Sequence, residues 1–496
     1  MAKLLKRLTD TRSLASGAAL YVGYRWFDRF LGVISLAVLA RLLDPESFGI
    51  VAMAWIVVGL LDAIFDMGVH LLVLQKDDPD KEFLDTAWTL RLIQAIVTAL
   101  IIAGLAPLAV NYFSEPRVAN VMYVLALASF IGGLENFAVV EFQKSRQFFR
   151  EFQLSAIKRL STFFAIIGLA FVLGSYWALV IGTLISRILG VFLAYFFHRV
   201  THRPSFAVMG TLFHKGKWLL FMNVAAYIWK RIDEIVVGRF FSSAVLGSYS
   251  VAAEVARLPT AELMAPISRA LLPGFTSSKG DVGESANLIR RSINVQASLA
   301  LPAAAGLAIC ADPVVSVFLG AKWQVAAQLL AILPAIFAAA ALRYTGEYYL
   351  IAHERQRLLT FVDLYYLVAF LGWIAYSNYM LGSVSLQGVV YGRAAVEASG
   401  IVIMWFVTAS VSGAVSVWDQ ILQILRPLLA TLAMCGVLLG VPMEYPGAVT
   451  QLAYTVPLGV VTYAVVLVTL WLVSGKPEGL ERWVADRLAA RLRRAD

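Results

Sequence analysis

At 496 residues, with 60% hydrophobic side chains and a mean hydropathy of +0.76, the chain is far more apolar than a soluble domain, in which about 45–50% of residues are apolar. Its apolar runs are roughly 20 residues long, which suits helices across a ~30 Å hydrocarbon core and excludes the alternating pattern of an outer-membrane barrel. The net charge of +9 sits on segments flanking these runs and implies no nucleic-acid partner.

The opening segment, Met1–Asp10, is too polar for the core of a signal peptide, so the first span is expected to be retained. Fourteen spans are expected in chain order, over 16–40, 47–72, 86–109, 118–141, 154–173, 177–197, 218–241, 247–272, 291–311, 325–350, 358–378, 384–408, 421–441 and 451–473. With both termini in the cytoplasm, the outer loops hold only Arg41, Arg117, Arg239 and Lys322, while most other basic residues outside the spans fall on the inner side. That asymmetry orients the chain under the positive-inside rule. The tail from Leu480 to Leu488 places Leu480, Trp483, Val484 and Leu488 on one face among basic residues, the pattern of a helix lying on the inner leaflet.

The first span carries Arg25, Asp28 and Arg29, then Arg41 with Gly49 eight residues on, and the second span carries Asp62 and Asp66. The pattern returns 198 residues later as Lys230, Arg231, Asp233 and Glu234, then Arg239 with Gly247, followed by Glu254, Arg257 and Glu262. An offset of six helices predicts a parallel repeat, and charges inside spans normally face a protein interior or a watery cavity. Arg29 and Asp62 fall level across the first hairpin, roughly 25 Å from the outer turn. They either neutralise each other or line a vestibule that attracts an anionic head group. In the second half, Arg343 with Glu347 and Arg393 with Glu397 are spaced i,i+4 as self-neutralising pairs, whereas Asp363 has no opposite charge at i±3 or i±4 and is a candidate ion-coupling carboxylate.

Other features carry less. Cys310 and Cys435 fall in apolar runs and predict buried small side chains, with no disulfide framework. Gly210–Trp218 differs from a phosphate-binding loop in glycine spacing and places Trp where Ser or Thr should stand. His198, His202 and His214 share a basic connector, which favours a solvated loop over a metal site. Aromatics such as Tyr24, Trp26, Tyr227 and Trp373 suit either interfacial belts or a sugar-stacking wall. No cofactor or metal is expected, and without a nucleotide site the energy must come from an ion gradient, the membrane potential or the substrate itself.

Leu39–Met53, followed by Asp66-Met-Gly-Val and by Phe318–Trp323, resembles the polysaccharide exporters of the multidrug/oligosaccharidyl-lipid/polysaccharide superfamily, and within it the Wzx-type flippases of the colanic acid and succinoglycan kind. The resemblance implies an all-α polytopic membrane protein with two six-helix lobes around a central cavity. Here these are 1–200 and 201–415, with two additional helices over 416–475 and an amphipathic tail over 476–496. It also implies a secondary transporter in a bacterial inner membrane that moves undecaprenyl-diphosphate-linked oligosaccharides outward, with membrane lipids and a polysaccharide polymerase or export machinery as partners. The expected substrate-binding cations are Arg25, Arg29, Lys230, Arg231 and Arg257, and the expected cavity or coupling carboxylates are Asp28, Asp62, Asp66, Glu254 and Asp363. A lipid-linked peptidoglycan-precursor flippase and a drug/cation antiporter are the rival readings. A membrane glycan polymerase is disfavoured, because the outer loops are too short to house a catalytic site.

Overall fold

The computed structural model describes residues 14–76, 79–145, 147–440, 447–477, 479, 481–482 and 487, and every regular element among them is helical. By its internal packing the chain divides into two compact units, Met1–Gly247 and Ser248–Asp496. The first contains α1 (Leu14–Leu42), α2 (Pro45–Phe65), α3 (Val69–Gln75), α4 (Lys81–Phe113), α5 (Arg117–Gly133), α6 (Ala138–Lys144), α7 (Phe148–Leu173), α8 (Trp177–Phe197), α9 (Met209–Phe240) and the first turn of α10 (Ser243–Ser277). The remainder of α10 leads the second unit, followed by α11 (Val282–Ile309), α12 (Ala311–Phe318), a 3-10 turn at Ala321–Trp323, α13 (Gln324–Leu330), α14 (Leu333–Ala352), α15 (Gln356–Leu381), α16 (Leu386–Ser412), α17 (Val417–Gly440) and α18 (Ala448–Val473).

Among the described residues, nine helical segments are long and apolar enough to cross a membrane, and a tenth path runs through Ala321–Leu330 and Leu333–Ala352, bent by 41°. Three further helices are long, α1, α9 and α10, at 29, 32 and 35 residues. They carry the repeated charges other than Asp62 and Asp66, which stand at the end of α2. The protein is thus a multi-pass membrane protein, and three of the four helices of the sequence repeat lie outside its most apolar set.

In the first unit, α2 packs on α4, α5 and α9, α5 lies between α4 and α8, and α1 rests on α7. The expected continuous span over 47–72 is interrupted. Asp66 leaves α2 in an extended conformation, Gly68 takes φ +62°, and the Asp66 carboxylate accepts a hydrogen bond from the Gly68 amide at 2.9 Å. Only glycine adopts that backbone cheaply, so Asp66-Met-Gly is a built break rather than a weak point. The Phe65 carbonyl freed there accepts a hydrogen bond from the Gln94 side chain of α4 at 2.6 Å.

The second unit is centred on α11, which packs against α14 and α17, with α18 covering α17 and α16 covering α14. Small residues make the close approaches possible: Ala300 and Ala304 of α11 meet Ala338 and Ala341 of α14. Three prolines lie inside these helices, Pro302, Pro427 and Pro457, and each removes the N–H that would satisfy the carbonyl four residues earlier. The carbonyls freed by the first two find side-chain donors. Tyr463 donates to the Ser298 carbonyl below Pro302 at 2.8 Å, and Asn294 donates to the Gln423 carbonyl below Pro427 at 3.1 Å. In hydrocarbon such donors replace the lost backbone bond.

The stretch Gly210–Trp218 runs as part of helix α9. Leu480, Trp483, Val484 and Leu488, which carry the expected interfacial helix, lie outside the described residues. In the connector between α8 and α9, His202 is only 2% exposed at its side chain, its Nδ1 is 3.2 Å from Asp85 Oδ1, and its ring stacks on Trp88 at 6.0 Å. Burial pushes this imidazole below its ordinary value of 6.5, outweighing the upward pull of Asp85. A histidine with a depressed folded value contributes stability that is complete above about pH 6.5 and is lost as pH falls below it, because the unfolded connector takes up the proton first. Amide exchange over residues 199–208, corrected for intrinsic rates, should therefore rise several-fold between pH 7.5 and 5.5, and His202→Gln should flatten that dependence.

Candidate functional site

A polar cavity of about 590 Å³ opens within the first unit, inside the range of about 300–1,000 Å³ typical of small-molecule sites. Five helices build it. The end of α2 contributes Asp62 and Asp66, α4 contributes Arg91, Gln94 and Thr98, α5 contributes Ser129 and two glycines, α8 contributes Arg187, and α9 contributes Tyr227 and Lys230. Three cations face two carboxylates, so the lining carries a net positive charge.

The two glycines explain how α5 admits its neighbours. A Cβ on Gly133 would stand 2.2 Å from the Ala95 Cβ of α4, and one on Gly132 would meet the Arg187 stem at 3.4 Å. On the opposite wall, Tyr227 donates to the Trp55 and Ile56 carbonyls at 3.2 and 3.0 Å and fills the space that Gly59 leaves open. Tyr227 therefore ties α9 to α2 and fixes where Lys230, three residues on, projects.

The three cations differ in their partners. Arg91 donates to the Gly132 and Glu135 carbonyls at 3.3 and 3.4 Å and pairs with the Glu135 carboxylate at 3.6 Å. That carboxylate also lies 3.5 Å from Lys158, so Glu135 is shared between two cations. Arg187 acts electrostatically on Asp62, yet among the described residues neither Arg187 nor Lys230 has a hydrogen-bond acceptor or an ion-pair partner within 4 Å. Donors held unpaired at a watery cavity inside a membrane unit are suited to an anionic ligand, and a guanidinium to a bidentate one.

The structure distributes the sequence candidates over several environments. Asp62, Asp66 and Lys230 line the cavity, whereas Arg25, Asp28, Arg29 and Arg231 stand outside its lining. Asp28 of α1 pairs with Arg159 of α7 at 2.7 Å, and Arg231 pairs with Glu234 at 2.6 Å. In the second unit, Glu254 and Arg257 form an i,i+3 pair at 3.7 Å with the guanidinium 5.2 Å from the Phe337 ring. The two i,i+4 pairs form as the spacing implies, Arg343 with Glu347 at 2.8 Å and Arg393 with Glu397 at 3.2 Å. Asp363 is not without an interaction partner in the fold. Arg91 and Arg187 are absent from the sequence candidates, although each is a lone Arg in a span with no opposite charge at i±3 or i±4. The test that isolates Asp363 would have found them.

The sequence model of a family described as a polysaccharide biosynthesis protein matches residues 38–328. The lipopolysaccharide biosynthesis protein WzxC of Escherichia coli K12 is 24% identical over 394 residues, covering 76% of this chain and 77% of WzxC. The teichuronic acid biosynthesis protein TuaB of Bacillus subtilis 168 is 22% identical over 417 residues, covering 82% and 85%. Among solved structures, the lipid II flippase MurJ superposes with a TM-score of 0.72 at 14% identity, covering 91% of this chain and 99% of MurJ. An inward-facing multidrug resistance transporter of the MATE family superposes with a TM-score of 0.63 at 14% identity, covering 78% of this chain and 95% of the transporter. At these identities the structural likeness establishes the fold alone.

Proposed function

Because the chain belongs to the polysaccharide biosynthesis protein family, we propose that it is a flippase for lipid-linked oligosaccharide repeat units carried on undecaprenyl diphosphate. The observation that supports the reading is the polar cavity whose Arg187 and Lys230 have no hydrogen-bond acceptor or ion-pair partner among the described residues. The diphosphate binds there, Arg187 giving a bidentate contact and Lys230 a point charge, with Arg91 held close by Glu135. Gln94, Thr98 and Ser129 offer hydrogen-bonding groups to the first sugars, while the lipid tail stays in the bilayer. Asp62 and Asp66 keep the net charge low enough for release on the other side. Arg25, Arg29, Arg231 and Arg257 extend the cationic path, and Asp28, Glu254 and Asp363 are carboxylates for ion coupling.

In this reading the chain is a secondary transporter of the bacterial inner membrane with both termini cytoplasmic. It crosses fourteen times, once for each of the helices α1, α2, α4, α5, α7 to α11 and α14 to α18. Two six-helix repeats over 1–200 and 201–415 alternate access, two further helices lie over 416–475, and a polymerase or export machinery receives the product. Reconstituted in proteoliposomes, the protein should move an undecaprenyl-diphosphate oligosaccharide between leaflets, read as loss of access to an externally added glycosidase, and should not extrude ethidium. Ethidium efflux without lipid movement would replace this reading with the antiporter.

A further inference from the structure

The second unit holds a cavity of about 400 Å³ whose walls are almost wholly apolar, drawn from α11, α12, α17 and α18 and including Leu299, Pro302, Ala303, Leu307, Met434 and Leu438. Tyr463 lines it and anchors its hydroxyl on the Ser298 carbonyl. Tyr463 is also within electrostatic reach of Glu481, a carboxylate that follows α18. Glu481 is buried with its side chain 3% exposed, opposite Arg426 of α17, whose side chain is 12% exposed. It sits beside Asn294, since a Cβ on Gly479 would lie 2.6 Å from both the Asn294 Oδ1 and the Glu481 Oε2.

The pairing of Glu481 with Arg426 is poor for its burial. The closest approach is 3.3 Å, Arg426 Nη1 and both Glu481 oxygens are buried, and none of the three makes a hydrogen bond to the described residues. A buried ion pair offsets its desolvation only with good geometry and further hydrogen bonds. Neither is present, so the pair holds weakly and Arg426 keeps a donor for a better acceptor. Arg426 stands outside the chamber's lining and connects through Glu481 to its Tyr463 end, and a buried guanidinium so placed, with an apolar chamber, matches the two ends of an anionic amphiphile.

We propose that this chamber is a binding site for an anionic, phosphate-headed lipid, with the headgroup on Arg426, an acyl chain in the cavity, and Glu481 a carboxylate stand-in that the lipid displaces. The site is separate from the cavity of the first unit, and the inference does not rest on the transport reading.

The test is retention of dioleoylphosphatidylglycerol against dioleoylphosphatidylcholine by the full-length protein, counted by native mass spectrometry. Wild type should prefer phosphatidylglycerol, and Glu481→Gln should raise its retention about tenfold, the scale of one charge-assisted hydrogen bond regained. Arg426→Gln with Glu481→Gln leaves no unpaired buried charge and so keeps the fold, yet should lose the preference. Ala303→Phe fills the chamber and should lower retention with Arg426 intact. No gain in Glu481→Gln, or an unchanged preference in the double variant, overturns the site. Binding of chainless glycerol 3-phosphate to Glu481→Gln as tightly as phosphatidylglycerol would make it a soluble-phosphate site and overturn the lipid.

Discussion

Arg187→Gln should abolish glycan export in a flippase-null host while leaving the amount of protein in the membrane near that of wild type. Arg187 has no ion-pair partner among the described residues, so its removal strands no carboxylate at hydrogen-bonding distance. What the proposed function has it lose is a contact with the lipid-linked diphosphate, worth about 1.5–3 kcal/mol for a charged hydrogen bond, or roughly 10–150-fold in binding. Arg187→Lys keeps the charge but loses the two-pronged geometry and should fall between the two. Arg91→Gln should behave differently, because Arg91 bridges Glu135 and the Gly132 carbonyl. Its loss removes part of the support between α4 and the end of α5 and should reduce protein level together with export. Wild-type export by Arg187→Gln would remove this residue from the substrate path and leave Lys230 as the cation to test.

The class of fold, the repeated charges and the intrahelical pairs were legible in the chain because each is a local signal. Spans follow from the length of an apolar run, and Arg343–Glu347 and Arg393–Glu397 follow from i,i+4 spacing on one helix. Pairings between helices were not legible. Asp28 reaches Arg159, 131 residues away, and nothing near Asp28 in sequence announces that partner. The cavity was half visible: Asp62, Asp66 and Lys230 stand in the charged repeat, while Arg91 and Arg187 are each the one charged residue of the expected spans 86–109 and 177–197 and meet only once α4, α5 and α8 pack. The proline devices of the second unit are hidden for a similar reason. Pro302 and Pro427 announce a freed carbonyl, but its donor, Tyr463 or Asn294, is chosen by tertiary packing.

The repeat also contains a packing requirement that its charges overshadow. Gly49 of α2 and Gly247 of α10 occupy equivalent positions in the two copies, and in the fold they face each other across a backbone-to-backbone contact. A Cβ on Gly49 would stand 1.7 Å from the Ser243 carbonyl oxygen, and one on Gly247 would stand 1.8 Å from the Pro45 carbonyl oxygen, whereas real Cβ atoms essentially never approach within 3.0 Å. Ordinary overpacking costs about 1–3 kcal/mol because side chains shift. Here both obstacles are main chain, and only separation of the helices relieves the clash. The surroundings hold that contact firmly: Arg117 pairs with both Glu46 and Glu115, and Arg239 donates to the Tyr112 carbonyl at 2.9 Å. Gly49→Ala and Gly247→Ala should therefore each lower the detergent melting midpoint and cut export more than tenfold, a large effect for one methyl group. Gly104→Ala is the control, since nothing lies within 4 Å of its Cβ position and a mid-helix Gly→Ala change ordinarily stabilises by about 0.5–1 kcal/mol. If Gly49→Ala melts and exports as Gly104→Ala does, the two helices do not close on each other in the working protein, and the paired glycines are a mark of the repeat alone.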